Sequence, residues 1–282
     1  MEDRSPFSLF NLSPPLLRAI ADMGFEEPTP IQSLAMPVIM SGKDVTGQAQ
    51  TGTGKTAAFG IPALEAVDPA LATTQIIILS PTRELAIQTA EELALLAAYK
   101  KKITILPVYG GQPIERQIKV LKKGAHVVVG TPGRVRDHLS RGTLSLSRVR
   151  MVVLDEADQM LDMGFREEIE VILRQTPRDR QTVLFSATLP PPILEISRNF
   201  QRHPEFVRVP DRQLTVPQVE QQYLEVRAKD KLEILSRILD LYNPDLALVF
   251  CNTKRGVDDL TEHLQNRGYL AEGLHGDKKQ ET

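Results

Sequence analysis

Short apolar runs rich in valine and isoleucine recur along this chain, and they constrain its fold more than any other feature. They are Asp44–Thr46, Gln75–Leu79, Ile103–Val108, His126–Val129, Met151–Leu154, Thr182–Phe185 and Phe206–Val209. Their brevity and β-branching fit strands buried on both faces. Between them lie longer segments with helical spacing, such as Glu84–Ala98, Glu115–Lys122 and Arg166–Gln175. Strand–helix alternation of this kind predicts an α/β fold: a parallel sheet with helices on both faces. Near the start, Ser13-Pro14-Pro15 reads as an N-cap followed by proline in the first turn, and Gly24 as a stop. Thr29-Pro30-Ile31-Gln32 opens a second helix, with Gln32 at the capping-box position.

The pattern breaks after about residue 207. Asp211–Pro217 is polar, proline-flanked and aperiodic, which reads as a linker. Alternation then resumes, with strands expected at Gln221–Val226, Leu246–Cys251 and Ala271–His275 and helices at Lys229–Leu241 and Lys254–Arg267. The expected organisation is a first domain over 1–207, a linker over 208–218 and a second α/β domain over 219–282. Three strands and two helices are few for such a domain, so the expectation is a truncated one.

Composition narrows the function. The 282 residues are 41% hydrophobic and 25% charged, enough apolar material for a sizeable core. Net charge is −2, so any nucleic-acid binding must come from a local patch or from backbone donors. The basic runs Lys100-Lys101-Lys102 and Lys119–Lys123 belong to no motif and read as solvated faces. The single cysteine, Cys251, lies in an apolar run and reads as a buried small hydrophobe. The five histidines form no metal-ligand spacing. The N-terminus lacks a signal-peptide pattern, and no apolar run approaches the roughly 20 residues of a membrane helix. A soluble cytoplasmic protein is expected, and nothing demands more than a monomer.

In doubly wound sheets, ligands bind beyond the carboxyl ends of the strands. Six such ends here carry polar, glycine-rich or acidic clusters. Gly47–Thr56 follows the first strand, Ser80–Arg83 the second, Gly110-Gly111 the third, Thr131–Arg134 the fourth, Asp155–Asp158 the fifth and Ser186–Thr188 the sixth. The most specific is Ala49-Gln50-Thr51-Gly52-Thr53-Gly54-Lys55-Thr56, a phosphate-binding loop with Ala49 where the strict pattern has glycine. Its glycines let backbone N–H groups crowd around phosphate oxygens, and the next helix offers its positive end. Lys55 suits the β- and γ-phosphates of a nucleotide, and the Thr56 hydroxyl suits Mg2+. An apolar strand delivering Asp155 is the magnesium partner of such a loop, and Glu156 is placed to orient or deprotonate water.

The tetrapeptide Asp155-Glu156-Ala157-Asp158 resembles the signature of the DEAD-box ATP-dependent RNA helicases of superfamily 2. Gly24–Gln32 resembles that family's Q motif, with the aromatic Phe7 upstream. Pro81–Ala86, Gly110-Gly111, Thr131–Arg134 and Ser186–Thr188 follow in the family's order, and Val249–Thr253 resembles the start of its fourth motif. The resemblance implies a RecA-like P-loop fold followed by a second, partial RecA-like domain. It implies that Gln32 reads the adenine edge, beside its possible role as a cap, and that Phe25 stacks on adenine unless it is a core residue. Pro81, Thr82, Arg83, Gly110, Gly111, Thr131, Pro132, Gly133 and Arg134 would contact RNA phosphates; both arginines also suit ordinary surface pairs. Asp158, Ser186 and Thr188 would couple the acid cluster to the RNA site.

His275-Gly276-Asp277 followed by Gln280 also matches the family, whose arginine fingers lie further on. The implied activity is ATP-dependent local unwinding of RNA, with weak binding and little turnover expected for these 282 residues alone. A DNA translocase, a non-catalytic RNA clamp and a P-loop kinase are the alternatives. Gln32 and Asp155–Asp158 argue against the first. Lys55 and Glu156 argue against the second for a full-length parent but leave it open for these 282 residues. The linker, the second α/β unit and the phosphate-binding clusters far from Lys55 argue against the third.

Overall fold

The computed structural model describes residues 6–209, 220 and 222–278. The chain forms two compact units, residues 1–211 and 212–282. The seven strands of the first unit are β1 (Val45–Gln48), β2 (Ile76–Leu79), β3 (Ile105–Val108), β4 (Val127–Gly130), β5 (Met151–Leu154), β6 (Gln181–Ser186) and β7 (Glu205–Arg208). They form one sheet in the order β3-β4-β2-β5-β6-β1-β7, every pairing parallel. All seven expected runs became strands.

The central strands feed two cores, because alternate side chains leave opposite faces. Ile76 and Ile78 of β2 join Val127, Val129, Val153, Val183 and Phe185 in one core. The helices α1 (Pro14–Asp22), α2 (Pro30–Met40), α3 (Lys55–Ala66) and α4 (Arg83–Leu96) cover it. Ile77 and Leu79 face the other way with Val128, Val152, Leu154 and Leu184. There α5 (Ile114–Lys123), α6 (Pro132–Ser140), α7 (Ala157–Asp162), α8 (Arg166–Arg174) and α9 (Pro191–Phe200) close the layer. Burying one such side chain contributes about 1.5–3 kcal/mol, against about 0–1 for an exposed ion pair. The sandwich, not the surface pairs, therefore holds the unit together.

Strand β1 is pinned by polar contacts at its amino end. Asp44 accepts the N–H groups of Thr182 (2.8 Å) and Arg202 (2.6 Å), and Gln181 donates to the carbonyls of Ile39 and Lys43. At its other end Gly47 lies opposite Phe185, and any Cβ there would overlap the Phe185 ring.

Several local expectations changed. Helix α1 starts where expected, but the Ser13 hydroxyl donates to Glu65 Oε2 (2.9 Å) instead of capping it. Lys100 is not solvated: its Nζ donates to the Leu64 carbonyl near the C-terminus of α3 (2.8 Å), where a cation is favoured. Lys101 and Lys102 are exposed, as expected.

The second unit carries α10 (Lys231–Tyr242) and α11 (Lys254–Asn266), which meets its N-cap through Thr253 Oγ1 and the Gly256 N–H. The expected strands did not form among its described residues: residues 222–226, 246–251 and 271–275 pair with nothing. A strand exists only as part of a ladder, and β-branching alone does not supply one. Phe250, Leu246 and Leu274 are accordingly exposed, and Cys251 is half-buried rather than core. Most of the expected linker, 210–218, and residue 221 lie outside the described residues, and β7 extends one residue past the expected boundary at 207.

Replacing Gly47 by Ala should destabilise the first unit by about 1–3 kcal/mol, because Phe185 must leave its rotamer or β1 must shift. Chemical denaturation measures this; an unchanged midpoint would contradict the packing described.

Candidate nucleotide and RNA site

The strand order brings the six clusters to one edge and splits them into two groups. The ends of β1, β6 and β5 are neighbours, and so are those of β2, β4 and β3.

In the first group, Lys55 opens α3 behind Gly54, whose φ of +86° suits glycine. Gly52 is also left-handed (φ +77°), whereas Ala49 is not; its N–H continues the ladder to the Ser186 carbonyl (3.1 Å). Alanine is therefore accommodated where the strict loop has glycine. Thr53 Oγ1 donates to the Gln50 carbonyl and holds the turn.

The Asp155 N–H extends β5 by bonding the Leu79 carbonyl, which delivers its carboxyl next to Lys55. Glu156 then turns the chain into α7 with φ of +51°, a left-handed conformation costing a non-glycine residue about 1–2 kcal/mol. The turn brings Glu156 Oε1 to 3.9 Å from Lys55 Nζ. All three side chains are buried, and Lys55 Nζ, Asp155 Oδ1 and Glu156 Oε2 have no hydrogen-bond partner. Burial pushes the Asp155 carboxyl up to about 6; Lys55 opposes the shift and Glu156 adds to it. Thr56 hydrogen-bonds Glu92 of α4, whose carboxyl burial also raises. Glu92 was not singled out in the sequence, and nothing in its spacing marks it.

Gln32 ties the Q-motif segment to this loop. Its Oε1 accepts the Thr29 N–H (2.9 Å), the backward half of a capping box, and its Nε2 donates to the Gly54 carbonyl (3.1 Å). Phe25 is half-buried, its ring beside the fully buried Phe7 at 6.5 Å and 27°. The core reading of Phe25 is thus partly met.

Asp158 joins the acid cluster to the end of β6. Its Oδ2 accepts the Thr188 N–H (2.9 Å) and hydroxyl (2.8 Å), and its own N–H donates to Ser186 Oγ. Burial raises this carboxyl, but the Thr188 and Ser186 hydrogen bonds outweigh it and hold Asp158 below its ordinary range.

In the second group, Thr82 caps α4 by accepting the Leu85 N–H, so its hydroxyl is engaged. The Arg83 guanidinium lies over the Tyr109 ring at 5.3 Å and beside Gly111 (φ +84°). Pro132 is the buried first residue of α6. Arg134 is mostly buried and donates to the Gln112 carbonyl at 3.3 Å, so it braces the glycine loop from behind instead of reaching out. Gln117, buried on α5, donates to the Tyr109 carbonyl and accepts from Arg134; His138 Nε2 lies 2.8 Å from its Oε1. Gln117 had a legible signal, a polar residue in the apolar stripe of α5. Gly110 and Gly133 face open space, and the Thr131 hydroxyl caps nothing. Helices α4, α5 and α6 thus turn their N-termini toward this part of the edge, an arrangement that favours anions.

A sequence profile described as DEAD/DEAH box helicase matches residues 29–196, which hold all of these clusters except the segment before Thr29. The chain belongs to the DEAD/DEAH box helicase family. It is 56% identical to the DEAD-box ATP-dependent RNA helicase CshA of Geobacillus kaustophilus over 97% of its own length and 58% of that protein. For the Bacillus subtilis CshA the figures are 53%, 97% and 55%. The chain thus spans little more than half the length of these curated relatives. It also resembles the crystal structure of a DEAD box protein from Methanococcus jannaschii, with 43% identity, a TM-score of 0.69, and coverage of 96% of this chain and 72% of that one. The DEAD-box sheet is therefore the RecA-like fold expected. No helix among the described residues is long and apolar enough to cross a membrane.

The raised Asp155 carboxyl gives a pH test of this arrangement. Its folded pKa, about 6, exceeds the ordinary 3.8, so the charged form penalises the fold above pH 6 and the penalty fades as pH falls toward 3.8. Asp155→Asn, neutral throughout, should be more stable than the native chain at pH 7–8 and lose that advantage by about pH 4. Urea midpoints across this range decide; a constant difference means Asp155 titrates normally.

Proposed function

We propose that the first unit binds ATP with magnesium at the β1–β6–β5 end and RNA at the β2–β4–β3 end, and that the protein is an RNA-dependent ATPase that locally unwinds RNA. One observation carries the nucleotide half: Lys55, Asp155 and Glu156 are buried together with polar atoms left unpartnered. Such groups are costly unless a charged ligand completes them. Residues 49–56 wrap the phosphates, with Lys55 on the β- and γ-phosphoryl oxygens. Thr56 and Asp155 would hold magnesium, Asp155 partly through water, and the ion would supply neutralisation of phosphoryl charge. Glu156 orients the attacking water and accepts its proton. Gln32 and Phe25 hold the adenine.

For RNA, Thr131, Gly110, Gly111 and Gly133 offer a hydroxyl and backbone N–H groups to phosphates, and Arg83, poised over Tyr109, adds charge. Pro81, Thr82, Pro132 and Arg134 shape this surface from behind. Contacts of this kind read no sequence. Asp158, Ser186 and Thr188 link the two ends, so a shift of the acid cluster on hydrolysis reaches the RNA side.

Lys55→Ala should weaken ATP binding by at least about thirtyfold, since it strips a buried charge of its partner. Glu156→Gln should keep ATP and RNA binding while slowing turnover by about a hundredfold or more. Calorimetry and phosphate release measure both. Unchanged ATP affinity in the first, or retained turnover in the second, removes the assigned role.

The finer reading is that these 282 residues alone bind nucleotide weakly and turn it over slowly. The unpaired apolar segments of the second unit support it. RNA-stimulated hydrolysis on the order of 1 s⁻¹ by this chain would contradict it.

A further inference from the structure

The candidate RNA edge ends at β3, the rim strand of the sheet, and the next helix is α5. On α5, Arg116, Lys119 and Lys123 recur at i, i+3 and i+7 and share one face, with Lys122 beside them. All four are exposed, while Gln117, Val120 and Leu121 turn inward. Like charges at these spacings repel and mildly destabilise a helix. Several exposed cations elsewhere in the unit are matched, although Lys101, Lys102, Arg178 and Arg198 stand singly or as a pair without an ion-pair partner among the described residues. Arg136 meets Glu167 and Glu168 at 3.3 and 3.0 Å, Arg141 meets Asp137 at 2.6 Å, and Arg166 meets Glu170 and Glu195 at 3.2 and 2.7 Å. No carboxylate among the described residues lies within 4 Å of the four cations of α5. The helix's own acid, Glu115, sits in the field of Arg141. Four cations against one carboxylate stand out in a chain of net charge −2.

We propose that the outer face of α5 is a second RNA contact, along which the phosphate backbone continues from the Gly110-Gly111 loop. This rests on the RNA reading of that loop. Ten helical residues span about 15 Å, the reach of roughly four phosphates of a helical strand. The face has no aromatic or apolar anchor, and lysine is depleted in protein interfaces. Lysine and arginine are, by contrast, the usual partners of phosphate. The stripe adds affinity without sequence preference and acts only on RNA long enough to leave the loop.

The test is binding by this chain of two single-stranded RNAs, about six and about twenty nucleotides long, over a range of salt. The variant carries Arg116→Gln, Lys119→Gln, Lys122→Gln and Lys123→Gln. A companion with the three lysines changed to arginine keeps the charge. The glutamine variant should bind the long RNA about tenfold more weakly, with a salt slope shallower by about 2–3, and the short RNA as before. The arginine variant should bind both as the native chain does. Unchanged binding of the long RNA by the glutamine variant overturns the proposal. Equal weakening for both lengths also overturns it, placing the loss in the glycine loop. If the native chain binds neither RNA, the RNA reading falls as well.

Discussion

The structure turns on three ionisable groups held out of water at the ends of two strands. Lys55 enters from the loop after β1, and Asp155 and Glu156 from the end of β5; β6 lies between those strands. Mutual attraction at 3.9 Å compensates only part of what burial costs them, and each keeps an unpartnered atom. Glu156 adds backbone strain to lost solvation. The surrounding sandwich is what sustains this local cost.

The same logic separates the two ends of the edge. The end proposed for nucleotide is dry and charged. The end proposed for RNA is open, built from helix N-termini, glycines and a stacked arginine. Asp158 ties the acid cluster to the end of β6 by hydrogen bonds to Ser186 and Thr188. A buried, charged surface and an open one rich in helix N-termini are different environments, and the strand order supplies both on one sheet.

Much of this was legible in the residues. The apolar runs announced the strands most plainly at β2, β4, β5 and β6, where burial on both faces demands near-continuous apolar residues. The clusters at their carboxyl ends announced the edge. What was hidden depended on distance in space: Glu92 against Thr56, Tyr109 beneath Arg83, and the turning inward of Arg134 toward the Gln112 carbonyl. The second unit shows the limit from the other side. Its β-prone segments were read as strands, yet a ladder requires partners that local sequence does not specify.

Strand β1 has one more implication. It pairs only with β6 and β7, which lie about 140 and 160 residues later in the chain. The strand that carries the phosphate loop therefore has no neighbours until nearly all of the first unit has been synthesised. Contacts of such long range form late and slowly. A growing chain can bury its central strands while this loop is still unsupported, so the loop takes its folded shape only near the end of folding.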